Sequence, residues 1–135
     1  MSVFLVIGAI LVAIAALIHV VIFVLESVLW SRPATWKRFG LRSQREADTV
    51  HPMAYNQGFY NMFLALGAGA GVVMMASASV RGEGIALSIF ALLSMLLASV
   101  VLVTSNPKLA GAAVMQGAVP LLGLIFLVLA VVSAR

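Results

Sequence analysis

The chain has 135 residues, of which 64% are hydrophobic and only 9% are charged. Ordinary soluble domains carry roughly 45–50% apolar and about 25% charged residues, and a short soluble fold cannot bury so many apolar side chains. Lipid is therefore the predicted solvent, and the length suits one transmembrane domain over residues 1–135. The absence of cysteine excludes disulfides, thiolate metal sites and thiol catalysis.

Four apolar segments follow one another, and each exceeds the roughly 20 residues that a helix needs to cross about 30 Å of hydrocarbon. They are about Val3–Trp30, Met53–Ala78, Gly84–Ser105 and Leu109–Ser133. Continuous rather than alternating runs favour helices over a β-barrel. The first run is too long for a signal-peptide core. The predicted fold is an all-α bundle of four transmembrane helices.

The connections differ in length and charge. Ser31–Pro52 is long and polar, whereas Ser79–Glu83 and Asn106–Lys108 are tight turns. Basic residues favour the cytoplasmic side, and a cytoplasmic long loop places six of them there and two on the other side. The six are Arg32, Lys37, Arg38, Arg42, Arg45 and Lys108, and the two are Arg81 and Arg135. This predicts both termini outside, in a bacterial inner membrane. The net charge of +4 does not indicate a nucleic-acid partner, because it sits beside membrane spans, where basic residues set orientation.

Aromatic residues interleave with the basic residues of the long loop, namely Trp30, Trp36 and Phe39. One interpretation is a short amphipathic helix, which includes Trp36–Arg42 and lies on the anionic leaflet. The other is an ordinary positive loop with two interfacial tryptophans.

Span one carries His19 and Glu26, and ionisable groups inside a membrane indicate function by default. Seven residues apart, they share one helical face. A structural alternative pairs Glu26 with Arg32 or Arg45 at the boundary, and treats His19 as a packed or hydrogen-bonded histidine rather than a metal or haem ligand.

Span two opens with the densest polar cluster of the chain, residues 51–61. Asn56 and Tyr60 are four residues apart, as are Gln57 and Asn61, so they form two adjacent ridges on a helix.

Glycine and proline mark positions of special backbone geometry. Pro52 suits the first turn of a helix, and Pro120 is expected to kink span four. Gly58 allows close approach of a neighbouring helix or a ligand. Gly67 and Gly71 have the small-xxx-small spacing of tight helix packing.

With this topology, the polar residues of the spans gather in the cytoplasmic half. They are Glu26, Asn56, Gln57, Tyr60, Asn61, Thr104, Asn106 and Gln116. The prediction is one polar pocket, open to the cytoplasm or the inner leaflet. The alternative is structural: such side chains form hydrogen bonds between membrane helices, each contributing about 1 kcal/mol.

The run Asn56–Asn61, followed by Phe63–Gly67, resembles a small four-span bacterial membrane family of unknown function. Residues 19–30, with Glu26, and 116–120 match its pattern too. The resemblance covers nearly the whole chain, and it implies an integral membrane protein without an assigned activity.

The chain is more distantly similar to the membrane-associated proteins of eicosanoid and glutathione metabolism, which are trimeric four-span bundles. Asn56 matches the Asn of their Asn-x-x-Glu motif, but Phe59 replaces the Glu that glutathione use would imply. Styrene oxide isomerase is also similar, and it holds haem between subunits through a histidine. That resemblance implies haem on His51, although the spacing from His51 to Asn56 differs.

These observations favour a protein that binds, and acts on, a lipophilic small molecule. The predicted catalytic residues are Glu26, Tyr60 and Asn61, and the predicted ligand-binding residues are His19, Asn56, Gln57 and Gln116. Expected partners are membrane lipids and further copies of the chain, in a homotrimer; no metal site is expected. The alternatives are a small transporter or channel, with Glu26 coupled to protons, and a structural accessory subunit.

Overall fold

The computed structural model describes residues 2–134, and within that range it contains five α-helices and no strand. They are α1 Val3–Phe23, α2 Pro33–Trp36, α3 Gln44–Ala76, α4 Arg81–Ser105 and α5 Ala110–Val132. A π-helical segment, Val24–Val28, continues α1. Short 3-10 turns, Ala78–Val80 and Pro107–Leu109, join the last three helices. Arg135, which enters the charge count above, lies outside the described residues.

The four long helices form an antiparallel ring in the order α1, α3, α4, α5, and α5 packs back against α1. On each of the four seams, a glycine of one helix lies against a side chain of the next. The pairs are Gly58 with Ser27, Gly71 with Ser88, Gly117 with Ser99 and Gly8 with Leu127. Lipid provides little hydrophobic drive for helices to associate, so small residues that let backbones approach stabilise such a bundle.

Four helical stretches are long and apolar enough to cross a membrane. They are Val3–Val28, Gln44–Ala76, Ala78–Ser105 and Pro107–Val132. Each carries large apolar side chains on the outside of the bundle, for example Leu17, Phe63, Phe90 and Val114, which are 60–67% exposed. A bundle that is apolar on all sides is suited to lipid, and this confirms the predicted make-up of a multi-pass membrane protein.

Helix α3 begins at Gln44, nine residues before the predicted start at Met53. The side chain of Ser43 accepts a hydrogen bond from the Glu46 amide at 3.2 Å, which caps the first turn. The prediction that Pro52 lies in the first turn is therefore wrong, because Pro52 lies in the helix interior. Its missing N–H leaves the carbonyl of Asp48 without the usual partner, and Asp48 is exposed, so water is available there.

Residues 30–43 fold into a cap over one end of the bundle. Trp30 and Trp36 are both buried, and the Trp30 indole N–H donates to the Ala47 carbonyl at 3.0 Å. The Trp30 and Phe39 rings pack with centroids 5.2 Å apart. Both tryptophan side chains therefore pack on protein rather than project into lipid, because the early start of α3 provides a wall for them; the position of the loop relative to the membrane stays a prediction.

The opposite end of the bundle is filled by an apolar core that includes Val12, Leu92 and Leu127, all fully buried. The predicted tight packing holds for Gly71, which lies against α4. Gly67 has open space beside it and makes no such contact within the subunit.

Candidate functional site

Glu26 lies in the π-helical segment at the capped end of α1. The Leu29 amide bonds the Val24 carbonyl at 2.8 Å, five residues back, which is the π-helical pattern. Such wide turns are rare, and they occur frequently at functional sites. Glu26 is only 8% exposed, so the turn holds a carboxyl group inside the bundle.

The π segment is attached to α3 by a close contact and a hydrogen bond. Ser27 donates from Oγ to the Tyr55 carbonyl at 2.9 Å. A Cβ atom on Gly58 would collide with Ser27 and would lie 3.1 Å from the Glu26 Cβ. The predicted close approach at Gly58 is confirmed, and the neighbour is the helical segment that carries Glu26.

Asn61 fixes the Glu26 side chain. Its Nδ2 donates to Glu26 Oε2 at 3.0 Å and to the Gln57 carbonyl at 3.0 Å. Both neighbours are acceptors, so the amide can only present its NH₂ group to them. The structural alternative that paired Glu26 with Arg32 or Arg45 is therefore not what forms, since the partner is Asn61.

One oxygen of Glu26 stays available. Within residues 2–134, Oε1 makes no hydrogen bond. It is also not among the polar side-chain atoms that are fully enclosed without a partner, since Ser88 Oγ is the atom in that state. Oε1 is therefore neither bonded nor sealed off, and it faces accessible space.

Glu26 lines a cavity of about 620 Å³ between the capped ends of all four long helices. Small-molecule sites in proteins typically measure roughly 300–1,000 Å³. The polar or charged residues that line it are Glu26, Arg38, Gln57, Asn61, Ser105 and Gln116. We call this cavity the pocket.

One wall of the pocket is apolar. Ala98, Val101 and Leu102 contribute it from α4, and Ala112 and Met115 contribute it from α5. The alanines on both helices leave room that larger side chains would fill. The pocket thus combines a polar face with an apolar wall.

The structure brings together four of the predicted site residues, since Glu26, Gln57, Asn61 and Gln116 all line the pocket. It does not bring Asn56 and Tyr60 there. Both lie on the exposed side of α3, and Tyr60 is 57% exposed. The two predicted ridges of α3 thus separate, one lining the pocket and the other facing outward.

His19 is buried at 1% exposure and does not line the pocket. Its Nδ1 lies 2.9 Å from the Ala15 carbonyl, which only accepts, so this nitrogen carries the proton. This matches the alternative in which His19 is a packed, hydrogen-bonded residue. Thr104 likewise bonds its own helix, at the Val100 carbonyl, 2.8 Å away.

His51 is exposed, and its ring lies beside that of Tyr55 with centroids 6.2 Å apart. It does not line the pocket. A haem on His51 does not fit the pocket of one subunit and requires a site outside it. Within residues 2–134, no cluster of three or more His, Asp or Glu side chains is arranged to hold a metal ion.

Sequence reasoning missed the contribution of the cap. Arg38 and Phe39 line the pocket, although the sequence places them in a loop. Gly40 follows with a φ of 82°, a backbone conformation that favours glycine. That glycine was the one local signal of a sharp turn. A single glycine does not predict that the residues before it line a pocket.

Four apolar helices around a pocket at one end define a small multi-pass helical membrane protein. The chain belongs to the family described as Protein of unknown function (DUF1304), which matches residues 13–128. This confirms the expected membership of a family without an assigned activity, and the four apolar helices fit a small membrane family. The motif at Asn56–Asn61 and the two distant resemblances stay predictions. No curated protein matches the chain, and no solved structure matches it.

Proposed function

We propose that this protein binds a lipophilic small molecule in the pocket. The observation that carries the proposal is the Glu26 carboxyl group, which lines a cavity of about 620 Å³ and is held by Asn61 through Oε2. Carboxyl groups inside membrane spans are costly, and they mark ligand, ion or proton sites by default. The apolar wall from α4 and α5 suits the body of such a ligand.

A chemical step on the ligand would fall to the same group. A general acid or base must be within hydrogen-bond reach of the proton that it transfers, and Glu26 is the acidic residue that lines the pocket. Gln57 and Gln116 line the same pocket, and we expect them to bind polar atoms of that ligand. The side chain of Tyr60 lies outside the pocket of one subunit, so the pocket does not support the proton-donor role predicted for Tyr60. That role stays a prediction.

The proposed topology places the cap in the cytoplasm and both termini outside, in a bacterial inner membrane. The excess of Lys and Arg at the capped end supports it. Because the chain has no cysteine, single cysteines report sidedness cleanly. Ser79→Cys should react with an impermeant maleimide on intact cells, and Ser31→Cys only after permeabilisation. The reverse pattern would invert the topology.

We further propose the homotrimer that the distant resemblances imply. Native mass spectrometry from nanodiscs should give three copies, and a monomer or dimer would contradict it. A haem on His51 belongs to the same resemblance. A Soret band in gently purified protein that disappears in His51→Ala would support a haem on His51. Wild-type protein without that band would contradict it.

A structural accessory role is the second candidate, and one contact favours it. The hydrogen bond from Asn61 to Glu26 joins α3 to α1, which is what such side chains do between membrane helices. Under this alternative the pocket holds no specific ligand. A binding experiment therefore separates the two candidates.

Photolabelling tests the proposal. A dodecanol that carries a diazirine near its tail is added to the protein in phosphatidylcholine nanodiscs, and adducts are mapped by tandem mass spectrometry. We expect adducts on pocket residues that the bundle partly shields, such as Leu25 and Leu102. Ala112→Phe fills the pocket and should reduce them about tenfold. The matched control is Val114→Phe, whose side chain faces outward at 66% exposure, and it should leave the adducts unchanged.

Equal labelling of both variants and the wild type would contradict the proposal and favour the structural role. Thermal unfolding of each variant shows whether it is folded. Ala98→Leu fills the pocket from α4 instead of α5, so it gives a second reading if Ala112→Phe is unstable.

A further inference from the structure

We propose that the ligand is an amphiphilic anion, whose charged group pairs with Arg38 and whose apolar body lies on the α4–α5 wall. This inference rests on the proposed function, since it names the class of molecule that the pocket takes. Lipophilic carboxylates and phosphate monoesters share this chemistry.

The charges that line the pocket carry the first step. Arg38 is the one cation among the lining residues, and Glu26 is the one acid. The side chain of Arg38 makes no hydrogen bond within residues 2–134, whereas Glu26 is held by Asn61. A guanidinium group stays charged at all relevant pH values. Its planar set of donors matches a carboxylate or phosphate in two parallel bonds.

The dimensions of the pocket carry the second step. Its lining runs from Ala98 to Ser105 along α4, and from Leu109, the last residue of the 3-10 turn, to Gln116 in α5. At 1.5 Å per residue, seven residues correspond to about 10 Å of depth. The cap meets the pocket at the end with Ser105 and Leu109, which we call the mouth. A Cβ atom placed on Gly40 would lie 3.8 Å from Leu109 Cδ2. Arg38 thus belongs to the mouth, and the apolar wall leads inward from it.

The opposite charges of the pocket then orient the ligand. A negative group beside Glu26 would meet a carboxyl group, whereas beside Arg38 it meets a cation. Specificity often depends on such a repulsive contact as well as on the attractive one. A cationic amphiphile would experience the reverse, namely attraction at Glu26 and repulsion at Arg38.

Competition against the photolabel tests the inference. Unlabelled dodecanoate, dodecyl phosphate, dodecanol and dodecylammonium are titrated against the diazirine dodecanol in phosphatidylcholine nanodiscs. We expect at least one of the two anions to displace the label at a concentration about tenfold below that of dodecanol. Their relative potency distinguishes a carboxylate ligand from a phosphate ligand.

Arg38→Gln should abolish this preference and leave competition by dodecanol unchanged. The matched control is Arg45→Gln, which removes the same charge from an exposed position on the first turn of α3 that does not line the pocket. Because both variants change the net charge equally, accumulation of anions at the membrane surface cannot mimic the result.

Two results would overturn the inference while the proposed function stands. One is equal displacement by dodecanol and both anions, and the other is strongest displacement by dodecylammonium, each with specific labelling of the pocket. Loss of the anion preference in Arg45→Gln as well as Arg38→Gln would also overturn it. If the photolabel never enters the pocket, the proposed function itself fails.

Discussion

The two ends of this bundle are assembled by the same kind of contact and differ in what the centre contains. At the opposite end, Gly71 lies against Ser88 on the α3–α4 seam, and at the capped end Gly58 lies against Ser27 on the α1–α3 seam. Large side chains such as Leu92 fill the centre of the opposite end. Close glycine contacts between neighbouring helices therefore do not determine whether the centre of the bundle is filled by side chains or contains a cavity.

The size of the inward side chains and the helical geometry make the difference. At the capped end, Ala98 and Ala112 occupy positions where larger residues would close the space. The π turn of Val24–Val28 also changes the direction of side chains at the end of α1. One half of the bundle thus provides rigidity, and the other provides a cavity.

The largest expected effect falls on the solid end. In Gly84→Ala, the new Cβ would lie 2.7 Å from the Met75 amide nitrogen and 2.8 Å from the Gly71 carbonyl oxygen. These are backbone atoms, so α3 and α4 must move apart. We expect a loss of about 1–3 kcal/mol or more in the free energy of unfolding, measured as a lower thermal midpoint in detergent. Gly82→Ala is the control, because that glycine has open space beside it; equal midpoints for the two variants would contradict the account.

The next effect concerns the capped end. Asn61→Ala removes the hydrogen bond to Glu26 and leaves a buried carboxyl group without its partner. An unsatisfied group of this kind costs about 1–3 kcal/mol, and we expect pocket photolabelling to fall as well. Asn56→Ala is the control, since Asn56 is exposed and lies outside the pocket. Destabilisation without loss of labelling would mean that Asn61 serves structure alone.

A smaller effect is expected in the cap. Trp30→Phe keeps an aromatic ring against Phe39 but removes the bond from the indole N–H to the Ala47 carbonyl. We expect a loss of about 1 kcal/mol and faster amide hydrogen exchange at the first turns of α3. Unchanged exchange there would show that this bond does not hold the cap.

The smallest effect is expected for Tyr60→Phe. The Tyr60 side chain is 57% exposed on the outer face of α3, and surface substitutions of this kind usually change stability by less than about 0.5 kcal/mol. Pocket labelling should also stay unchanged. A clear loss of labelling would restore the proton-donor role predicted for Tyr60, or indicate that a neighbouring subunit uses it.

Composition and hydropathy predicted the four helices, because lipid forces a continuous apolar run that is visible in the sequence. The first turns of α3 were missed because Gln44–His51 is polar and carries no such signal. The capping pattern Ser43-x-x-Glu46 was present and would have marked the start. Hydropathy thus predicts the part of a helix that lies in lipid, whereas an N-capping pattern predicts where the helix begins outside the lipid.

The site was predictable in part for a similar reason. Glu26, Gln57, Asn61 and Gln116 stand out as polar residues within apolar spans, and all four line the pocket. Neighbouring helix positions point in different directions, so the sequence does not decide whether the ridge with Asn61 or the ridge with Tyr60 faces inward. That choice depends on how α3 packs against α1.

Arg38 could not be assigned from sequence, since its place at the pocket depends on the fold of the whole cap. The π turn around Glu26 has no local signature either. It accompanies the contact with Gly58, which lies 32 residues away along the chain. Such features require the tertiary structure.

The most direct test of the central claim is a cryo-electron microscopy map of the protein in nanodiscs made from its native membrane. The account predicts non-protein density in the pocket, within hydrogen-bond distance of Glu26 Oε1 and in contact with the wall of α4 and α5. A pocket that is closed by side chains, or a map whose lipid density lies only on the outer surface of the bundle, would contradict it.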